Sequence, residues 1–193
     1  MNIPEELLSF LAPESGNDFL VDLLRREVWI TGAINPGISR PIVRGLRQLA
    51  RLSEAPITVF VNTEGGDPFE AMVIADFMRE LNKRMIVGTS VVNCSYSAGV
   101  LISAAGKKGH RSAVPSADFL IHQLSVGGIA GKIEDVEATT VSLKRLNSRI
   151  ARYLSEVTGE SIEAIVSLMR KESYLGPKKA LKLGLIDRIH VPV

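Results

Sequence analysis

Residues 57–61, Ile-Thr-Val-Phe-Val, are a short apolar run without the strict in-out alternation of a half-exposed strand. Such a run fits a strand covered on both faces, which is typical of a parallel sheet held between other layers. A second run, Met85 to Val92, has the same character, and the stretch from Pro68 to Asn82 between them has helical spacing. Upstream, Glu27-Val28-Trp29-Ile30 reads as a strand ended by Thr31-Gly32. Residues 39–53 read as a helix with Ile42, Leu46, Leu49 and Leu52 inward and Arg40, Arg44, Arg47 and Arg51 outward. Downstream come a small-residue helix over Ser97–Ala105 and two short strands, around Arg111–Val114 and Asp118–His122. Alternating strands and helices predict an α/β layer architecture. The arginine row fits either a solvated helix face or a contact for an acidic partner.

Three segments stand outside this alternation. Residues 1–17 hold a short apolar helix candidate, Ile3 to Leu11, then the turn-forming cluster Ala-Pro-Glu-Ser-Gly-Asn. Residues 132–157 form a long helix candidate with Ile133, Val136, Thr140, Leu143, Ile150, Leu154 and Val157 on one stripe, interrupted by Asn147 and widened by Val141, Leu146 and Tyr153. A domain this small does not cover so long a helix along its whole length, so part of it is expected to pack on another subunit. Residues 161–189 read as two short helices, with Gly176-Pro177 between them, and a closing strand.

Composition removes several classes of function. The 193 residues are 46% hydrophobic and 23% charged, which is ordinary for a folded domain. The net charge of +2 implies no electrostatic partner, and 5% aromatic content gives no stacking platform for single-stranded nucleic acid. Cys94 is the single cysteine, so neither an intrachain disulfide nor a cysteine zinc cluster is expected. The start, Met-Asn-Ile-Pro-Glu-Glu, is acidic where a signal peptide is basic. No stretch reaches the ~20 apolar residues that span a bilayer. The expected location is the cytoplasm, with no membrane partner.

Three places carry residues suited to chemistry. Ser97 lies in Ser95-Tyr96-Ser97-Ala98-Gly99, between a buried strand and a small-residue helix. A serine on such a turn is either a helix N-cap or an exposed nucleophile with backbone N–H groups behind it. His122 ends the apolar strand Phe119-Leu120-Ile121 and is either structural or the base that a hydroxyl nucleophile requires. Glu64-Gly65-Gly66-Asp67 follows the first buried strand, and its glycines suit an oxyanion hole, a phosphate nest or a plain turn. No Gly-Lys-Ser/Thr follows, which excludes a P-loop, and the histidines and carboxylates show no metal-ligand spacing.

Together these pieces resemble the proteolytic subunit of the Clp protease, the ClpP family, over about residues 19–190. Val61-Asn62-Thr63-Glu64-Gly65-Gly66 is similar to the family's buried strand followed by Asn-Ser-Pro-Gly-Gly. Tyr96-Ser97-Ala98-Gly99 resembles the nucleophile motif Ala-Ser-Met-Gly/Ala, and Ile121-His122-Gln123 resembles the Ile-His-Gln that carries the base, 25 residues further on. The segment Ala104 to Arg111, the Thr158-Gly159 pair and Gly184-Leu185-Ile186-Asp187 match further landmarks. Gly127-Gly128 and the long helix correspond to the handle through which two rings meet. This chain differs in having Asn93, Tyr96, Ala98 and Leu124 at motif positions, and two extra residues between the Gly-Gly pair and the serine. Glu172, in Glu172-Ser173-Tyr174, stands where the family has an aspartate before an aromatic.

The resemblance implies an α/β fold of the ClpP/crotonase type: repeated β-β-α units with a long protruding handle helix, in one domain over residues 1–193 with a divergent segment 1–17. It implies a serine endopeptidase subunit of a self-compartmentalised ring that hydrolyses peptides and unfolded proteins. Ser97, His122 and Glu172 would be the catalytic residues and Gly66 and Ala98 the oxyanion hole, with Gly65, Leu124, Gly127 and Gly128 binding substrate. It implies stacked homo-oligomeric rings, heptameric in the family, a possible AAA+ unfoldase partner and no cofactor. Three other readings are a ring subunit that keeps the shape without the chemistry, an acyl-CoA enzyme of the crotonase superfamily, and a Ser-Lys signal-peptide peptidase, which would normally need a membrane anchor.

Overall fold

A computed structural model describes residues 19–190; the helix candidate Ile3–Leu11 and the divergent segment 1–17 lie outside the described residues. The strands are β1 (Phe19–Asp22), β2 (Glu27–Thr31), β3 (Ile57–Thr63), β4 (Val87–Tyr96), β5 (Arg111–Ala113), β6 (Asp118–Ile121), β7 (Ser173–Leu175) and β8 (Arg188–Ile189). The helices are α1 (Pro36–Leu52), α2 (Pro68–Leu81), α3 (Gly99–Ala104), α4 (Ile133–Thr158), α5 (Ile162–Arg170) and α6 (Pro177–Leu183). The mixed α/β architecture read from the alternation is the one observed.

All the strands belong to one sheet, ordered β1-β2-β3-β4-β5-β8, with β6 attached to β4 and β7 to β6. The ladders along the path from β2 to β8 are parallel, while β1–β2 and β6–β7 are antiparallel. Strand β4 is ten residues long because it serves two partners in succession. Its first half pairs with β5 at Thr89–Val91, and its second half pairs with β6 at Cys94–Tyr96. The split makes β6 and β7 a wing that flanks the exit of β4.

The core lies under Val28, Ile30, Val59, Val61, Val87 and Val91, all fully buried, against Ile42, Leu46 and Leu49 of α1 and Ile74 and Met78 of α2. Helix α1 is capped by Asn35, whose side chain accepts from the Gly37 N–H, and α2 by Asp67, which accepts from Phe69 and Glu70 with Pro68 in the first turn. Ser39 and Glu70 hydrogen-bond across α1 and α2.

Several sequence expectations need correction. Leu52, expected inward, is 50% exposed, because it is the last residue of α1 and overhangs the core. Strand β3 is buried less evenly than its apolar run predicts, since Thr58 and Asn62 are only half-buried. Strand β4 continues past Val92 to Tyr96, carried by pairing to β6 that local pattern does not reveal. The short strands β1 and β7 have no periodic signature and are defined by their antiparallel partners. Gly176 and Pro177 begin α6 and do not form a bare link, Gly176 as its cap and Pro177 in its first turn.

The handle helix α4 runs 26 residues, about 39 Å at 1.5 Å per residue. Its C-terminal half packs on the same chain, burying Leu146, Ile150, Ala151, Tyr153 and Leu154. Tyr153 Oη donates to the Leu101 carbonyl at 2.8 Å, and Arg149 pairs with Asp76 at 3.6 Å. The N-terminal half stands clear: Ile133 is 75% exposed and Val141 49%. At the helix end, Gly159 adopts φ 84° and closes the last turn on Ser155, an αL cap that suits glycine.

Candidate active site

Ser97 follows the last residue of β4 and lies two residues before α3. Its φ is +54°, left-handed backbone that a side-chain-bearing residue rarely adopts and that the surroundings must enforce. The Ser97 N–H donates to the Leu120 carbonyl of β6 at 2.9 Å, and the Ser97 carbonyl accepts from the Val100 N–H at 3.1 Å. Gly65 closes the turn from behind: a Cβ there would sit 2.7 Å from Ser97 Cβ and 2.7 Å from the Tyr96 carbonyl oxygen. The turn is thus clamped by the wing on one side and the glycine loop on the other.

That loop is itself fixed. Thr63 Oγ1 donates to the Gly32 carbonyl at 2.6 Å and accepts from the Gly65 N–H at 3.0 Å. Ile34 accepts from Asp67 and donates to the Gly65 carbonyl, both at 2.8 Å, which holds Gly66 at φ +141° against the Ile34 backbone, where a Cβ would overlap. Among the described residues, the N–H groups of Gly66 and Ala98 make no hydrogen bond. Both residues border the same cleft as Ser97 and His122.

The cleft has a volume of about 370 Å³. Its walls include Phe69 from α2, Leu124 and Val126 from the loop after β6, and Leu143, Leu146 and Ile150 from the handle. His122 enters from the end of β6. The β6–β7 register, Phe119↔Leu175, Leu120↔Tyr174 and Ile121↔Ser173, leaves His122 and Glu172 each one residue beyond its last pair, at the same end of the ladder. Glu172 is exposed and left-handed at φ +48°, and among the described residues no hydrogen bond joins its carboxylate to His122, or His122 to Ser97.

Of the residues singled out from sequence, Ser97, Ala98, Gly66, His122 and Leu124 therefore share one cleft, with Gly65 behind the serine. Gly127 and Gly128 lie in an exposed loop outside its lining. Asp187 is committed elsewhere, to Arg111 at 2.6 Å and to the N–H groups of Gly109 and Arg111. Burial raises its pKa, but the hydrogen bonds and charge of Arg111 outweigh that and hold it below the usual carboxylate value.

Sequence reasoning missed two supports. Thr63 reads as an ordinary strand residue, and its hydroxyl is what braces the glycine loop. Asn147 reads as a flaw in the apolar stripe, and its side chain accepts from the Leu124 N–H at 3.1 Å, tying the cleft rim to the handle. A polar residue inside an apolar pattern is the available signal in both cases. Beside the serine, Tyr96 Oη donates to Asp118 at 3.2 Å; burial first, then Asp118, push its pKa up.

The β3–β4 register runs Val61↔Val91 and then Thr63↔Ser95, so β4 gains two residues over its partner and bulges there. Asn93 and Cys94, within the bulge, turn to the Asn62 side chain at 3.0 and 3.5 Å. Burial, then the Glu64 charge, raise the Cys94 pKa.

A sheet whose long central strand delivers a strained serine beside a glycine loop, under a protruding handle, defines the Clp-type proteolytic subunit as a class. The profile of the Clp protease family matches residues 14–192, and the chain belongs to that family. It is 34% identical over 167 residues to the ATP-dependent Clp protease proteolytic subunit 2 of Pseudomonas aeruginosa PAO1, covering 86% of this chain and 81% of that one. Against the ATP-dependent Clp protease proteolytic subunit 2 of Gluconobacter oxydans 621H the identity is 30% over 165 residues, covering 86% and 74%. A solved structure of a ClpP1 point mutant from Listeria monocytogenes superposes with a TM-score of 0.80 at 26% identity, covering 88% of this chain and 94% of that one. Family membership supports a peptidase. No described helix is long and apolar enough to cross a membrane.

Proposed function

We propose that this chain is a serine endopeptidase subunit, one catalytic domain that works within a ring of identical copies in the cytoplasm. The observation that carries the reading is the strained Ser97 flanked by two unpaired N–H groups, of Gly66 and Ala98, on one cleft with His122. Ser97 Oγ attacks the peptide carbonyl carbon as its proton passes to His122. The N–H groups of Gly66 and Ala98 stabilise the oxygen as it gains negative charge. His122 then protonates the leaving amine, and water activated by the same ring hydrolyses the acyl-enzyme. Glu172 orients His122 and stabilises its charged form. Gly65, Leu124, Gly127 and Gly128 contact the substrate backbone, and an AAA+ unfoldase would supply unfolded chains to the ring.

One observation favours a second reading, a ring subunit without chemistry: Ser97 and His122 are not hydrogen-bonded, and Glu172 is exposed. Catalytic hydrogen bonds often tighten only when substrate binds, so this arrangement also suits a resting enzyme. Labelling with a serine-reactive phosphonate, read by intact mass, separates the two. The expected result is one adduct on the natural chain and none on Ser97→Ala or His122→Ala. A folded natural chain that takes no label would establish the scaffold, and label on Ser95 or Cys94 would remove Ser97 as nucleophile.

A further inference from the structure

Strand β4 gives its last three residues to β6, through the pairs Cys94↔Asp118, Ser95↔Phe119 and Tyr96↔Leu120, and β6 in turn carries β7 through three more. The wing that ends on His122 and begins beyond Glu172 thus hangs from the serine's strand by a short ladder. Side-chain pairs across strands are what stiffen such a ladder.

Two such pairs meet on Tyr96. Its Oη donates to Asp118 of β6 at 3.2 Å, diagonally across the ladder. Its ring stands edge-on to Tyr174 of β7, with 5.9 Å between centroids and an interplanar angle of 83°. Tyr96, Leu120 and Tyr174 lie in one row of the register, so the contact spans all three strands on one face. Along the chain, Tyr96 immediately precedes Ser97, Asp118 lies four residues before His122, and Tyr174 two after Glu172. None of Tyr96, Asp118 and Tyr174 lines the cleft at Ser97, so any effect on the chemistry passes through these neighbours. The nucleophile motif that this segment resembles has alanine in place of Tyr96, a side chain with no reach to β6.

The backbone of Ser97 makes the connection matter. Its φ of +54° is held from the wing, by the Leu120 carbonyl that accepts the Ser97 N–H at 2.9 Å. A displacement of β6 against β4 therefore moves the serine's turn and His122 relative to each other. Misplacing reacting groups by about 1 Å costs on the order of 10²-fold in rate.

We propose that Tyr96 is a positioning residue: through Asp118 and Tyr174 it holds the β6–β7 wing against β4, so that His122 keeps its place beside Ser97. The proposal rests on the reading of Ser97 as nucleophile and His122 as its base.

The full chain is assayed for peptide turnover and for the rate at which a serine-reactive phosphonate labels Ser97. Tyr96→Phe keeps the ring on Tyr174 and loses only the hydroxyl. Its kcat and labelling rate are expected to fall together by about tenfold, the scale of a hydrogen bond to a charged group, with KM within about twofold. Asp118→Ala should match it, and Tyr96→Phe with Asp118→Ala should be no slower than either alone, because both remove one interaction. Asp118→Asn keeps an acceptor for the tyrosine and should restore the rate to within about threefold of the natural chain. Tyr96→Phe with natural kcat, a KM that rises as far as kcat falls, additive losses in the double variant, or Asp118→Asn as slow as Asp118→Ala would overturn the proposal. So would a fall in the labelled fraction alone, with each folded molecule keeping its rate, since that marks a purely structural role. A natural chain that takes no label would overturn the reading of Ser97 and the positioning role with it; a natural chain that labels no faster than its variants would overturn the positioning role alone.

Discussion

His122 and Glu172 flank the same end of the β6–β7 ladder, each one residue beyond the last pair, Ile121 and Ser173. In the proposed mechanism the Glu172 carboxylate orients the His122 ring and stabilises its charged form. Glu172→Gln is therefore expected to lower peptide turnover by a factor on the order of 10²–10⁴, since loss of the triad acid in a serine protease costs ~10⁴. Thermal stability should change little, because Glu172 is exposed. Turnover within a few-fold of the natural chain would remove Glu172 from the mechanism.

Thr63 braces the glycine loop, so Thr63→Val should act on stability and turnover together. The variant keeps the volume but leaves the buried Gly65 N–H without its acceptor, a cost of about 1–3 kcal/mol. Denaturant unfolding measures that loss. Initial rates should show kcat falling more than KM rises, because in the proposed mechanism the loop presents the Gly66 N–H to the reacting oxygen.

The two halves of the handle should respond differently to charge. Ile133→Asp with Val141→Asp places charges on the exposed half and is expected to reduce particle size in sedimentation velocity while each subunit stays folded. Leu143→Asp alters a cleft wall and should impair peptide hydrolysis with particle size unchanged. A double Ile133/Val141 variant that assembles normally would show that this half makes no subunit contact.

Arg111 and Asp187 set an acid-dependent part of the stability. The Arg111 side chain is 3% exposed and that of Asp187 17%, so Asp187→Asn leaves a buried guanidinium poorly paired and should cost about 3 kcal/mol near pH 7. The folded-state pKa of Asp187 lies below its unfolded value. Its contribution is therefore complete above the ordinary carboxylate range and is lost as pH falls through the lowered value. The stability curves of the natural chain and the variant should converge in that acid range; a constant gap down to the lowest pH would assign the effect to packing.

Much of this arrangement was legible in the residues. Helices α1 and α2 were readable because one face of each is apolar at 3.6-residue spacing, and β3 because its run is short and β-branched. Ser97, Gly66 and His122 were legible as separate candidates from local pattern, and only the family resemblance joined them into one site, since β4 pairs with two strands in turn and that split delivers β6 to the serine. β7 was hidden for the same reason: three residues, Ser173 to Leu175, carry no period and gain their conformation from β6. Leu143 and Ile150 were legible as apolar, whereas their placement at the cleft and in the core is set by how α4 crosses α3.

The two-residue bulge in β4 separates distance along the chain from distance in space. Between Val61↔Val91 and Thr63↔Ser95 the longer strand turns sideways, toward Asn62, and the register closes again two residues before Ser97. Asn93 and Cys94 therefore lengthen the chain without lengthening the reach of β4, and Ser97 still emerges against Gly65.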